Sequence, residues 1–164
     1  MFDEMLEAWR YTRTGFIAEV RNFPEWHFTD KPPKVGRTAL DLVNHVVESG
    51  RLMAGELSRP DGDFQRKPYH DLIAEHARAG DEAHSKEAAL AVLQSSFDEG
   101  VAALSAAGAE LLMQPIRQFN GENATRIVWL HHGIAHEEYH RGQIALYTRI
   151  FGETPALTKE IYGG

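Results

Sequence analysis

The sequence predicts an all-α protein, a four-helix bundle with a long crossover between its second and third helices. Apolar residues recur at steps of three and four along four separate segments, the spacing that places them on one face of a helix. No segment alternates apolar and polar residues over the length of a strand. The stretch 58–84, between the second and third segments, is too long for a simple turn inside a compact domain. An irregular all-α domain is the alternative architecture.

The first two helices are predicted over about 2–22 and 38–57. Pro24 ends the first, because proline disfavours helical geometry in the residue before it. Thr38 is a natural N-cap for the second, and Asp41 lies in its first turn, where a negative charge is favourable. The apolar positions of the two helices are Phe2, Met5, Leu6, Trp9, Phe16, Ile17 and Val20, then Leu40, Val43, Val47 and Leu57.

The last two helices are predicted from Ser85 to about 113 and over about 122–151. Ser85 is an N-cap, Pro115 bounds the third helix, and Gly152 is the expected C-terminal signal of the fourth. Within the crossover, residues 69–79 predict a short helix. A single domain over residues 1–164 follows from this organisation and from a length typical of one domain.

Composition and charge exclude several classes of function. Lysine and arginine number 17 against 24 acidic residues, a net charge of −7, and no basic run is present. We therefore expect neither nucleic-acid nor membrane-surface binding. No stretch approaches the roughly 18 apolar residues of a membrane span, and the first residues lack a signal-peptide pattern, which predicts a cytoplasmic location. The sequence has no cysteine, so any thiol chemistry must use an external thiol.

Histidines are concentrated on one face of the predicted last helix. Residues four apart lie about 40° apart around a helix, so His132, His136 and His140 form a stripe. The same face also carries Trp129, Gln143 and Tyr147. Two histidines at i and i+4 can bind one metal ion from one helix, and a third ligand must then come from another element.

His45 is the best candidate for that third ligand. It lies mid-helix among aliphatic residues, where a charged imidazole is costly to bury but a neutral, metal-ligating one is not. Bundle interiors hold metal sites made by facing helices, and Asp41 and Glu48 are placed to orient the ring. The alternatives are a hydrogen-bonded core histidine for His45 and a solvated surface pair for His136 and His140.

The run His136-x-x-x-His140-Arg141-Gly142-Gln143, together with His45 far upstream, resembles the DinB-like (YfiT-like) superfamily of metalloproteins. The resemblance covers nearly the whole chain in helix order. It implies an up-up-down-down four-helix bundle, a homodimer, and one divalent metal ion held by His45, His136 and His140. His132 matches no family ligand position, although helical periodicity alone would allow it.

The resemblance also implies a class of chemistry. Members with known activity include thiol-dependent S-transferases and a thiol-dependent isomerase, and many others are described only as metal-dependent hydrolases. Three neutral imidazoles leave an ion with an open position, which is typical of catalytic zinc. Zinc is therefore the expected metal, with nickel or iron as alternatives, and a low-molecular-weight thiol is a candidate cosubstrate. The competing hypothesis is a non-enzymatic metal-binding or structural bundle with a role in stress response.

No catalytic side chain beyond the ligands is assigned. Glu48 or Glu137 is a candidate proton acceptor and Tyr69 or Tyr139 a candidate for polarising a leaving group. The favoured interpretation is nevertheless that the glutamates are solvated on the helix surface and that the tyrosines pack.

The surroundings of the stripe predict a substrate pocket and a partner. Trp129, Tyr139 and Tyr147 border the stripe and are expected to line an apolar pocket for a small electrophilic substrate, capped by the stretch 58–84. The alternative is that these aromatic residues are part of the core. Another side of the same helix carries the apolar residues Ile127, Leu130 and Ile134. A helix with apolar residues on two sides needs a second partner, which favours a homodimer.

Overall fold

Six α-helices and a short β-hairpin make up the computed structural model over the residues that it describes, 1–34 and 36–163. The helices are α1 (Phe2–Asn22), α2 (Ala39–Ser58), α3 (Tyr69–His76), α4 (Lys86–Leu112), α5 (Arg126–Ile150) and α6 (Ala156–Tyr162). A single 3-10 turn covers Glu25–His27, and strands β1 (Pro115–Arg117) and β2 (Asn123–Thr125) pair antiparallel. The all-α fold is confirmed.

The long helices begin and end where the local signals predict. The Thr38 hydroxyl accepts from the Asp41 N–H (3.0 Å), and the Asp41 carboxylate accepts from the Thr38 N–H (2.8 Å), which is a complete capping box. The Ser85 hydroxyl likewise accepts from the Ala88 N–H at the start of α4. Gly152 has a φ of 86° just after α5, a conformation that glycine adopts without strain.

The four long helices form a bundle in which α1 and α2 each pack against both α4 and α5. The core consists of two apolar clusters. One gathers around Phe16, Val43, Val47 and Ile144, and the other includes Trp9, Leu57, Leu104 and Leu130. None of the described helices is both long enough and apolar enough to cross a lipid bilayer.

Contacts along α1 give the directions of its neighbours. Trp9 bonds to Glu137, and Phe23, just after the end of α1, packs on Phe151, so α1 and α5 run parallel. The Phe23 carbonyl also accepts from Lys86 at the start of α4, so α1 and α4 run antiparallel.

The up-up-down-down order implied by the resemblance is wrong. Asn44 contacts Ala83 before the start of α4, and Arg51 contacts Glu99 further along, so α2 and α4 run parallel. The order is therefore up-down-down-up for α1, α2, α4 and α5. The physical reason is the single long crossover. The parallel helices α2 and α4 need a connection that returns along the whole bundle, whereas the α1–α2 and α4–α5 connections only reverse the direction of the chain.

Two elements of the structure were not predicted from the sequence, and two predicted helix boundaries are displaced. The hairpin strands have three residues each, too few for a period-two pattern to stand out, and β2 occupies the first residues of the helix that was predicted from 122. Helix α6 is short and largely exposed, and the predicted 69–79 helix ends earlier, at His76.

The crossover is held to α2 by a cluster of charged side chains. The buried Glu56 carboxylate accepts from Arg66 and contacts His76 Nε2 at 2.6 Å, and Arg66 also bonds to Glu75. Burial of Glu56 acts to raise its pKa, but the hydrogen bonds from His76 and Arg66 outweigh burial and bring the pKa to about 2. This network ties the 58–84 stretch to the end of α2.

Candidate metal centre

Three histidine side chains meet between α2 and α5. His45 comes from the middle of α2, while His136 and His140 lie one turn apart on α5. The Nε2 atom of His136 is 3.2 Å from that of His45 and 3.0 Å from that of His140. The three residues that the sequence analysis selected are thus brought together, in one group whose nitrogens lie within 4.8 Å of one another.

Gln143 orients one of the three rings. Its side-chain oxygen lies 2.7 Å from Nδ1 of His140, so this nitrogen donates and the lone pair of Nε2 faces the other two histidines.

The surroundings of all three imidazoles favour the neutral form. Burial lowers the pKa of each, and for His45 the positive Arg37 and the neighbouring histidines add to burial and bring the pKa to about 4. Neutral imidazole is the form that ligates a metal ion.

The donor set fits a divalent ion. A neutral imidazole has one N–H, and that of His140 is already used by Gln143, so the two short contacts at His136 Nε2 do not both form as ordinary hydrogen bonds. A cation between the rings would satisfy all three nitrogens. Two ligand nitrogens at about 2.1 Å from a tetrahedral ion lie about 3.4 Å apart, close to the separations observed.

The other histidines of the chain stand apart from this group. His132 is exposed and packs edge-on against Trp129, one turn before His136. Asp41 does not orient His45, because its carboxylate caps the start of α2, and Glu48 is exposed. His76 is mostly buried in the charged cluster of the crossover, against Glu56.

A pocket of about 460 Å³ opens beside His45 and His136. Trp129 lines it as predicted, whereas Tyr139 and Tyr147 are not among its lining residues. Two of the aromatic side chains in its wall, Phe64 and Tyr69, come from the 58–84 stretch. Phe119, from the turn of the hairpin, completes the wall and was missed, because the sequence carries no signal that brings this turn to α5.

Glu137 lines the same pocket, and its carboxylate is fully engaged in hydrogen bonds. Its carboxylate accepts hydrogen bonds from Trp9 Nε1 and from Arg13, and Arg13 also donates to Ser96. A carboxylate held by a buried guanidinium is a poor proton acceptor, so the geometry opposes a role for Glu137 as a general base. Arg13 was missed in the sequence, although a charged residue among the apolar positions Trp9 and Phe16 was the available signal.

Fold and site together define a class, an all-α helical-bundle protein with three histidines gathered between two of its helices. The sequence model of the DinB family matches residues 1–162, and the chain belongs to this family. Among solved structures, the chain is similar to a DinB-like protein from Bacillus subtilis, YjoA. The identity is 20%, over 92% of this chain and 93% of that chain, with a TM-score of 0.67, so the likeness shows the fold alone. No curated protein matches the sequence.

Proposed function

We propose that His45, His136 and His140 bind one divalent ion, zinc in the first instance with nickel or iron as alternatives, and that the protein is a metal-dependent enzyme. Its reaction is the transfer of an external thiol to a small electrophilic substrate, or the hydrolysis of such a substrate. The observation that carries the proposal is the position of the histidine group beside the pocket. Two of its three members, His45 and His136, line the pocket wall. A cytoplasmic location remains a prediction of this proposal.

A bound ion with three imidazole ligands supplies Lewis acidity, which makes a water molecule or an external thiol a better nucleophile. The chain itself supplies the arrangement. Gln143 holds the His140 ring through Nδ1, and the aromatic wall of the pocket excludes water and positions the substrate. The lack of cysteine favours an external thiol over an internal one in the transferase reaction.

Chelation separates an enzyme from a structural metal protein. We expect EDTA treatment to abolish turnover while the circular dichroism of the helices changes little, because the two apolar clusters of the core do not include the histidines. Turnover is measured with 1-chloro-2,4-dinitrobenzene plus a thiol and with p-nitrophenyl acetate. A large drop in melting temperature on chelation, combined with no turnover of either substrate class by the zinc-loaded protein, would contradict the enzymatic proposal.

A homodimer is the second part of the proposal, but the apolar face that supports it differs from the one predicted from the sequence. Leu130 and Ile134, which motivated it, are buried inside the chain by the core. A different face of α5 is exposed and apolar, and it carries Val128, Tyr139, Leu146 and Ile150. We expect this face to be covered by a second copy, so sedimentation should give a dimer that Leu146→Glu converts to monomer. A monomer of about 18 kDa at micromolar concentration for the unmodified chain would remove the hypothesis.

A further inference from the structure

We infer that the pocket beside the histidines takes an uncharged, flat aromatic molecule of about two fused rings, a substrate class that rests on the proposed function of the site. Three features of the pocket support this inference: an aromatic wall, a lining without a free charge, and a volume that matches such a molecule.

The aromatic wall is continuous. Phe64 lies 4.8 Å from both Phe119 and Trp129 between ring centroids, and Phe119 lies 5.7 Å from Tyr69. The rings meet at tilted or edge-on angles, which is the geometry that aromatic groups favour. A flat aromatic ligand in the pocket would pack against these side chains. Its binding would remove apolar area of both the ligand and the pocket wall from water, which is favourable.

Charged side chains are scarce in the lining of the pocket. Among the described residues, the pocket wall has no lysine or arginine, and its one carboxylate, Glu137, is paired with Arg13. A phosphate, carboxylate or ammonium group held against the aromatic wall, away from the histidines, would lose its hydration without gaining a partner, which is costly in an apolar site. The ring portion of a substrate that lies against this wall is therefore neutral.

Volume and polar groups limit the size of the substrate. An apolar cavity of about 150 Å³ holds one benzene, so a pocket of about 460 Å³ has room for two fused rings and a substituent. Ser49, Gln118, Tyr69 and His132 bring polar groups to the wall, and His45 and His136 line it as well. The polar or electrophilic substituent of the ring is thus expected to point toward the histidines.

The test compares three ligands that share one ring system: 2-naphthalenemethanol, 2-naphthoate and 2-(aminomethyl)naphthalene. Binding is measured by isothermal titration calorimetry on zinc-loaded and on EDTA-treated protein, since a carboxylate can ligate zinc by itself. In both forms of the protein, we expect the neutral alcohol to bind at least about tenfold more tightly than the amine. In the EDTA-treated form, we expect it to bind more tightly than the naphthoate by the same factor. Phe119→Ala, at a partly exposed position, should weaken the alcohol several-fold, whereas Met113→Ala, exposed and outside the pocket, should not.

In the zinc-loaded protein, binding of the amine as tight as or tighter than that of the alcohol would overturn the inference, and so would no binding of the alcohol. Neither result depends on whether the EDTA-treated protein stays folded. An unchanged affinity in Phe119→Ala would do the same. Failure of the proposed function looks different, because binding of the alcohol would then persist in a protein that lacks turnover or metal.

Discussion

His136→Ala is expected to reduce the metal content of the purified protein from about one divalent ion per chain to background. His136 Nε2 is the atom that both other histidines approach, at 3.2 Å and 3.0 Å, so its removal leaves only two of the three ligand nitrogens to hold the ion. Metal content is measured by elemental analysis of protein purified without an affinity tag.

His132→Ala is the matched control, one helical turn before His136 on the same face of α5. His132 is exposed and lies outside the histidine group, so we expect the metal content of this variant to equal that of the unmodified protein. If His132→Ala loses the ion while His140→Ala retains it, the ligands are displaced by one turn and the assignment is wrong.

Arg13→Met is expected to cost about 3–5 kcal/mol in the free energy of unfolding. The substitution leaves the Glu137 carboxylate buried at the α1–α5 contact without its cation, and it removes the hydrogen bonds of Arg13 to Ser96 and to the Leu93 carbonyl. Urea unfolding followed by circular dichroism measures the change. Arg10→Met, on the same helix in an exposed pair with Glu7, should change stability by less than about 0.5 kcal/mol.

A second substitution separates the charge from the packing. In the double variant Arg13→Met with Glu137→Met, no unpaired charge stays buried, so much of the lost stability should return. An Arg13→Met protein within about 1 kcal/mol of the unmodified chain would show that the pair contributes little, and the engagement of Glu137 would then be no argument against its acting as a base.

Local signals account for much of the fold and for part of the site. Periodicity and caps such as Thr38 depend on neighbours in sequence, and they predicted the long helices well. The i, i+4 spacing likewise places His136 and His140 on one face of α5. His45 lies 91 residues away from His136 in sequence, and only its apolar surroundings and the family resemblance pointed to it.

The remaining features depend on contacts between distant segments. The hairpin brings Phe119 beside Phe64 of the crossover, and neither residue lies in a periodic pattern that predicts the contact. The direction of the helices follows from how the crossover returns along the bundle, which helical periodicity does not encode. The pairing of Arg13 with Glu137 joins two helices in the same way.

The most direct test of the metal centre is an anomalous diffraction map of zinc-loaded crystals, recorded on both sides of the zinc absorption edge. The account predicts one strong peak per chain at about 2.1 Å from the Nε2 atoms of His45, His136 and His140. The absence of a peak at these three nitrogens, or a peak at His132 or at the Glu56 and His76 cluster instead, would contradict it.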